Sequence, residues 1–241
     1  MRNLLKYVFS SALVIMFSTF SFFTLPALAA DEGSIVREAQ LYDKWFAVIK
    51  ADKPDVNHPA WPASNTKKKD DVTWRCKSCH GWDYKGVSGA YGSGSYLTGI
   101  IGIDGMVGAD EASIIAIMKD DTHQLSGKLN DADFNDLALF VSKGQVDMSQ
   151  YIDGETKALK SGDAIKGAQY FNTLCAQCHA RDGSLPKDMK KTLSKQMSNP
   201  WEVMHKILNG QPAEQMPALR VLDHQITLDL MAHILTLPKE K

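Results

Sequence analysis

Two pentapeptides hold every cysteine of this 241-residue chain: Cys76-Lys77-Ser78-Cys79-His80 and Cys175-Ala176-Gln177-Cys178-His179. Two cysteines three apart admit three chemistries: a disulfide, half of a four-thiolate zinc site, or attachment of a haem. The histidine directly behind the second cysteine, in both copies, separates them. Two thiols add to the two vinyl groups of one haem, and the adjacent imidazole then lies under the porphyrin as proximal iron ligand. Neither a disulfide nor a four-cysteine zinc site gives a reason for a histidine at that place twice. The pattern predicts two covalently attached haem c groups. Haem 1 is expected on Cys76 and Cys79 with His80 on its iron, and haem 2 on Cys175 and Cys178 with His179.

The elements that must position these groups are clearest in the second half. Ser161-Gly162-Asp163 can cap a helix, and Ala164, Gly167, Ala168 and Phe171 follow on one face at helical spacing. That helix runs into Cys175. Asn199-Pro200 is a good N-cap with proline at the first helical position, and it opens a second helix carrying Trp201, Met204 and Leu208 on one face. Gly210 stops it. A loop containing Met216-Pro217 follows. A closing helix then runs from Asp223 to about Thr236, with Ile226, Leu230 and Ile234 inward.

Helix, CxxCH, loop, helix, methionine loop, closing helix: residues 160–238 resemble a class I cytochrome c domain. GAQYFNTLCAQCH and the later Met-Pro with its closing helix carry the likeness. The resemblance implies an all-α fold around one covalent haem, with Met216 as the second axial ligand.

The first half repeats the plan. Asp110-Glu111 opens a helix with Ile114, Ile117 and Met118 inward, and Asp131 opens another with Phe134, Leu137, Ala138 and Val141 inward. The closing segments LNDADFNDLALFV and LDHQITLDLMAHIL align on Leu129 and Leu222. Met216 stands six residues before Leu222, and His123 stands six before Leu129. A histidine thus replaces the methionine, and bis-histidine ligation of haem 1 by His80 and His123 is expected. The rival ligand is Met106 in the glycine-rich GIDGMVG; Met118 falls on an apolar helix face, which marks a core residue, and His58 is a fourth ligand candidate, ranked low because it precedes the cysteines. The extra length of the first half lies in the loop GVSGAYGSGSYLTGIIGIDG, where insertions are tolerated.

The first half opens with LYDKWFAVIK, an amphipathic helix pattern, and continues irregularly through NHPAWPASNTKKKDDVTWRC. Trp74, Trp82, Tyr84 and Tyr91 crowd its attachment site and are expected to pack. The junction SKGQVDMSQYIDGETKALKSGD is polar and without periodicity. Two tandem class I cytochrome c-like domains are therefore expected, 30–150 and 151–241.

Residues 1–29 have a basic start, an apolar run and the small-residue site Ala27-Leu28-Ala29, the pattern of a cleaved signal peptide. Export to the periplasm is expected, with no stable membrane span after cleavage. Without Arg2 and Lys6, 25 basic residues face 28 acidic ones, which argues against nucleic-acid binding. Residues 31–150 hold 13 basic and 18 acidic side chains, and residues 151–241 hold 12 and 10. Lys187, Lys190, Lys191 and Lys195 follow the second attachment site. Opposite signs on two halves suit two different redox partner proteins.

Iron with two protein ligands has no open position for substrate, so these sites point to a single-electron carrier rather than an enzyme. Two histidines favour ferric iron and lower the potential, whereas methionine raises it. Electrons are expected to pass from haem 1 to haem 2. The competing readings are a dihaem enzyme, a cytochrome subunit of a larger periplasmic oxidoreductase, and a haem sensor that binds a gas when one ligand leaves. Dihaem thiosulfate oxidation, in its family, uses an axial cysteine, and none is spare here.

Overall fold

A computed structural model of the chain describes residues 27–240. The expected signal peptide, apart from its last three residues, lies outside the described residues. The structure is helical: among the described residues there are isolated β-bridges but no strand. This is the all-α architecture that the resemblance implies.

The long helix α1 spans Ala27–Val48 and is kinked at Lys44. Irregular chain and a short 3-10 turn, Asp70–Trp74, lead into α2, Cys76–His80. Helix α3, Glu111–Met118, starts on the Asp110 carboxylate, which accepts from the Ser113 amide. Helix α4, Asp131–Leu139, starts on a reciprocal pair: Asn130 accepts from the Asp133 amide and Asp133 from that of Asn130. Ile114 and Met118 are buried as expected, but Ile117 is 43 % exposed. A helix of only eight residues presents one narrow face to the core, and Ile117 lies off it.

In the second half α5 spans Ala164–Leu174 and α6 Ala176–His179. The Asp163 carboxylate caps α5, accepting from the Ile165 and Lys166 amides. A short turn, α7 (Leu193–Gln196), precedes α8, Pro200–Asn209, and α9, His224–Thr236. Asn199 does not cap α8 with its side chain; its amide instead donates to the Glu202 carboxylate at 2.9 Å. Helices α5 and α9 touch backbone to backbone at Gly167, where a Cβ would come within 1.9 Å of the Asp229 carbonyl oxygen. Leu222, half of the pair that aligns the two closing helices, is 40 % exposed, while Leu129 is buried. The register survives on the caps: Asn130 and Asp223 each stand directly before their helix.

A single apolar cluster runs from Ile35 to Ile234 through both halves. The polar junction belongs to it, since Val146, Met148 and Ile152 are buried. Helix α8 packs on both α1 and α9. Its contact with α1 is polar as well as apolar. An amphipathic α1 would leave Asp43 in solvent, but Asp43 is fully buried because α8 covers that face. Its carboxylate takes the guanidinium of Arg75 and the ammonium of Lys206, and its carbonyl accepts from Arg75 Nε at 2.7 Å. These two cations hold the Asp43 carboxyl below the usual carboxylate range against the cost of its burial. Beside them, His205 Nε2 meets the Ala39 carbonyl at 3.1 Å, and Gln40 donates to the Asn209 carbonyl at 2.7 Å. Burial pushes the His205 imidazole down to about 3, so the ring is neutral.

Candidate haem-binding sites

Both CxxCH pentapeptides form short helical turns, and the chain leaves each histidine through a left-handed residue. Gly81 has φ +85° and Ala180 φ +58°. This reversal lets each histidine ring reach a carbonyl downstream. His80 Nδ1 lies 2.8 Å from the Ile101 carbonyl oxygen, and His179 Nδ1 lies 3.1 Å from that of Leu185. A carbonyl only accepts, so Nδ1 carries the proton in both rings. Each Nε2 is left as a lone-pair donor with no hydrogen bond among the described residues. All four cysteines are free thiols, as addition to vinyl groups requires. Burial raises the Cys76 and Cys79 thiols to about 12 and Cys175 to about 11.

The structure brings His123 opposite His80. Their ring centroids are 6.2 Å apart and the ring planes differ by 21°. An imidazole nitrogen bonds a metal at about 2 Å and sits about 1 Å from its own centroid, so two imidazoles across one metal ion stand about 6 Å apart. His123 follows α3 in a turn organised by Asp120. One carboxylate oxygen of Asp120 accepts from the Thr122 and His123 amides, each at 2.9 Å, and from His123 Nδ1 at 3.2 Å. That last bond again frees Nε2. These hydrogen bonds hold the Asp120 carboxyl below its ordinary value. The residues present therefore fit a haem iron between His80 and His123.

His58 does not compete for that place. Its Nδ1 accepts from the Ala60 amide at 3.1 Å, and its Nε2 donates to the His123 carbonyl at 2.9 Å. Met106 ends a 3-10 turn, Asp104–Met106, and packs partly buried against the core. Met118 is a core residue of α3. Trp74, Trp82, Tyr84 and Tyr91 are all buried, in the packing role expected of them. Trp82 also receives Lys77 and Lys206, whose ammonium groups lie 5.0 and 5.4 Å from its ring centroid. Lys77, between the two attachment cysteines, is itself buried and donates to the Tyr96 hydroxyl at 3.2 Å.

In the second half Met216 sits half-buried in the loop between α8 and α9. Gly210 brings the loop close to the end of α8: it has φ +74°, and a Cβ on it would lie 2.6 Å from the Met216 carbonyl oxygen. Met204 is fully buried in α8. Sequence reasoning missed Asp120, although an aspartate three residues before a candidate ligand was a usable signal. The Ile101 and Leu185 carbonyls leave no trace in residue type, because every residue has one.

The comparisons agree with this chemistry for the second half. The family model described as cytochrome C oxidase, cbb3-type, subunit III matches residues 162–233. The match supports a c-type cytochrome, and such a domain implies covalently bound haem c, haem iron and electron transfer with redox partner proteins. Searches of curated proteins and of solved structures returned no match. Among the described residues no helix is long and apolar enough to cross a membrane.

Proposed function

We propose that the chain is an exported, periplasmic dihaem c-type cytochrome that carries single electrons between two redox partners. Residues 30–150 would hold haem 1 on Cys76 and Cys79, with His80 and His123 on its iron. Residues 151–241 would hold haem 2 on Cys175 and Cys178, with His179 and Met216. The observation that carries the proposal is the repeated turn itself: two thiols, then a histidine whose Nδ1 is tied to a carbonyl and whose Nε2 is free. The spacing of His80 and His123 supports the ligand pair at haem 1.

Haem c supplies a one-electron couple, and the chain's residues set where its potential lies. Asp120 on His123 Nδ1 makes that imidazole a stronger donor, which favours ferric iron. A thioether at haem 2 favours ferrous iron. With those ligands, electrons would pass from haem 1 to haem 2. The shared core and the buried Asp43 cluster hold the two sites in one fixed relation, which suits transfer within the molecule.

A second reading has the chain as the cytochrome subunit of a larger oxidoreductase. The matched family is by its description an oxidase subunit, and that observation favours it.

Carbon monoxide distinguishes a carrier from an enzyme or sensor. The visible spectrum of the fully reduced protein should be the same with and without the gas. A Soret shift at either haem would mean an open or readily opened iron, and the carrier reading would fail.

Met216→Ala should abolish the sulfur-to-iron charge-transfer band of ferric haem 2 near the red edge of the visible. It should also lower that haem's potential by on the order of 0.1 V, a fraction of the ~0.8 V range that axial ligands command. Survival of the band would assign the sulfur to another methionine, Met204 first.

A further inference from the structure

The irregular stretch before the first CxxCH has no counterpart in the second half, where α5 runs straight into Cys175. It is nevertheless firmly laced to the turn that precedes Cys76. The Trp74 indole donates to the Val56 carbonyl at 2.8 Å, the His58 amide to the Thr73 hydroxyl at 2.8 Å, and the Asp70 amide to the Asn57 side chain at 2.7 Å. The His58 ring packs edge-on against Trp74, with centroids 4.3 Å apart. From there it reaches the loop on the opposite side of the haem 1 site. Lys128, five residues beyond His123, lies over the Trp74 ring at 4.6 Å and holds the same loop from its far end.

The tautomer of His58 follows from its neighbours. The Ala60 amide can only donate, so Nδ1 accepts and Nε2 carries the proton. That proton is directed at the His123 carbonyl, 2.9 Å away. The next residue, Gln124, has φ +51°, a conformation that a side-chain-bearing residue keeps only when its surroundings hold it. The peptide joining His123 to Gln124 is therefore tied by His58 just where the backbone enters the left-handed region.

We propose that His58 is a positioning residue for haem 1: its Nε2–H holds the His123 backbone so that the His123 ring stays opposite His80. The proposal rests on His123 being the distal ligand. It gives the irregular opening of the first half a function, that of a brace from the attachment side of the haem to the distal loop.

The test compares two amides in the full-length haem-loaded protein. Glutamine at position 58 places its amide N–H where Nε2–H stands. Asparagine reaches only as far as Nδ1, so it can keep the Ala60 contact but not the His123 one. The readout is the rate at which cyanide replaces the distal ligand of ferric haem 1, followed by the low-spin EPR signal of that haem. This rate reports how often the ligand leaves. His58→Asn should raise it roughly three- to tenfold, the effect of losing one hydrogen bond, and His58→Gln should stay close to wild type. Equal rates in the two variants, whether both raised or both unchanged, would overturn the proposal, because the N–H would then be irrelevant. His123→Ala is the reference and should bind cyanide without the slow step. If His123→Ala keeps the slow step, the ligand assignment itself fails and takes the brace with it. If it loses the step while Asn and Gln behave alike, only the brace fails.

Discussion

Replacing His123 by methionine should raise the potential of haem 1 by on the order of 0.1 V or more, towards that of haem 2. The wild-type ring faces His80 with its centroid 6.2 Å away, and Asp120 accepts from its Nδ1 at 3.2 Å. The hydrogen bond strengthens the imidazole as a donor to ferric iron, and a thioether would be a weaker donor without it. The driving force from haem 1 to haem 2 should shrink accordingly. His123→Ala should go further: with no side chain opposite His80, the reduced haem should bind carbon monoxide. Met106→Ala should change neither property, because Met106 only closes a 3-10 turn against the core. A redox titration resolved by haem, with carbon monoxide spectra of the same variants, checks all three. Should Met106→Ala open the iron and His123→Ala leave it intact, both haems are His/Met. The direction of electron flow then loses its basis, though carriage itself would stand.

Asp43→Asn should cost about 3–5 kcal/mol of stability, the effect of breaking a buried ion pair from one side. Asp43 is 1 % exposed at its side chain, and its partners Arg75 and Lys206 are 18 % and 14 % exposed. Asparagine leaves two nearly buried cations facing a neutral amide. Denaturant unfolding of the haem-loaded protein measures the loss. Reversal should come from Lys206→Met in the same chain, which removes one stranded charge. The same cluster sets an acid limit. The Asp43 carboxyl is held below its ordinary value of 3.8, so its contribution is fully present above that pH and is lost as pH falls further. Wild type should begin to lose this stabilisation below about pH 4, and Asp43→Asn should lack that component of acid unfolding. Because the pair joins α1 to α8, the variant should also loosen the link between the two halves of the chain.

The two CxxCH turns were legible in the chain because each is local: five consecutive residues carry both thiols and the histidine. Helices α3, α4, α5 and α9 were legible because their caps and apolar spacing are local too. His123 came from a repeat argument, which needs only register, and the Asn130 and Asp223 caps keep that register even though Leu222 turns outward. What sequence could not show is what depends on a distant partner. Asp43 looks like the polar face of an amphipathic helix until α8, more than 150 positions later, covers it. His58 looked like a stray ligand candidate, yet both its nitrogens are committed to backbone, one of them to the residue it was to compete with. The carbonyls that fix the proximal tautomers are invisible for the same reason: hydrogen bonding by backbone leaves no signature in residue type.

The intact mass of the protein tests most directly whether one chain carries two covalent haems. Under denaturing conditions, which strip any group not covalently bound, the mass should exceed that of the polypeptide by two haem groups. Cys76→Ala with Cys79→Ala should remove one of them, and Cys175→Ala with Cys178→Ala the other. A wild-type mass with a single haem, or a native mass with a zinc adduct across the four thiols, would contradict the account.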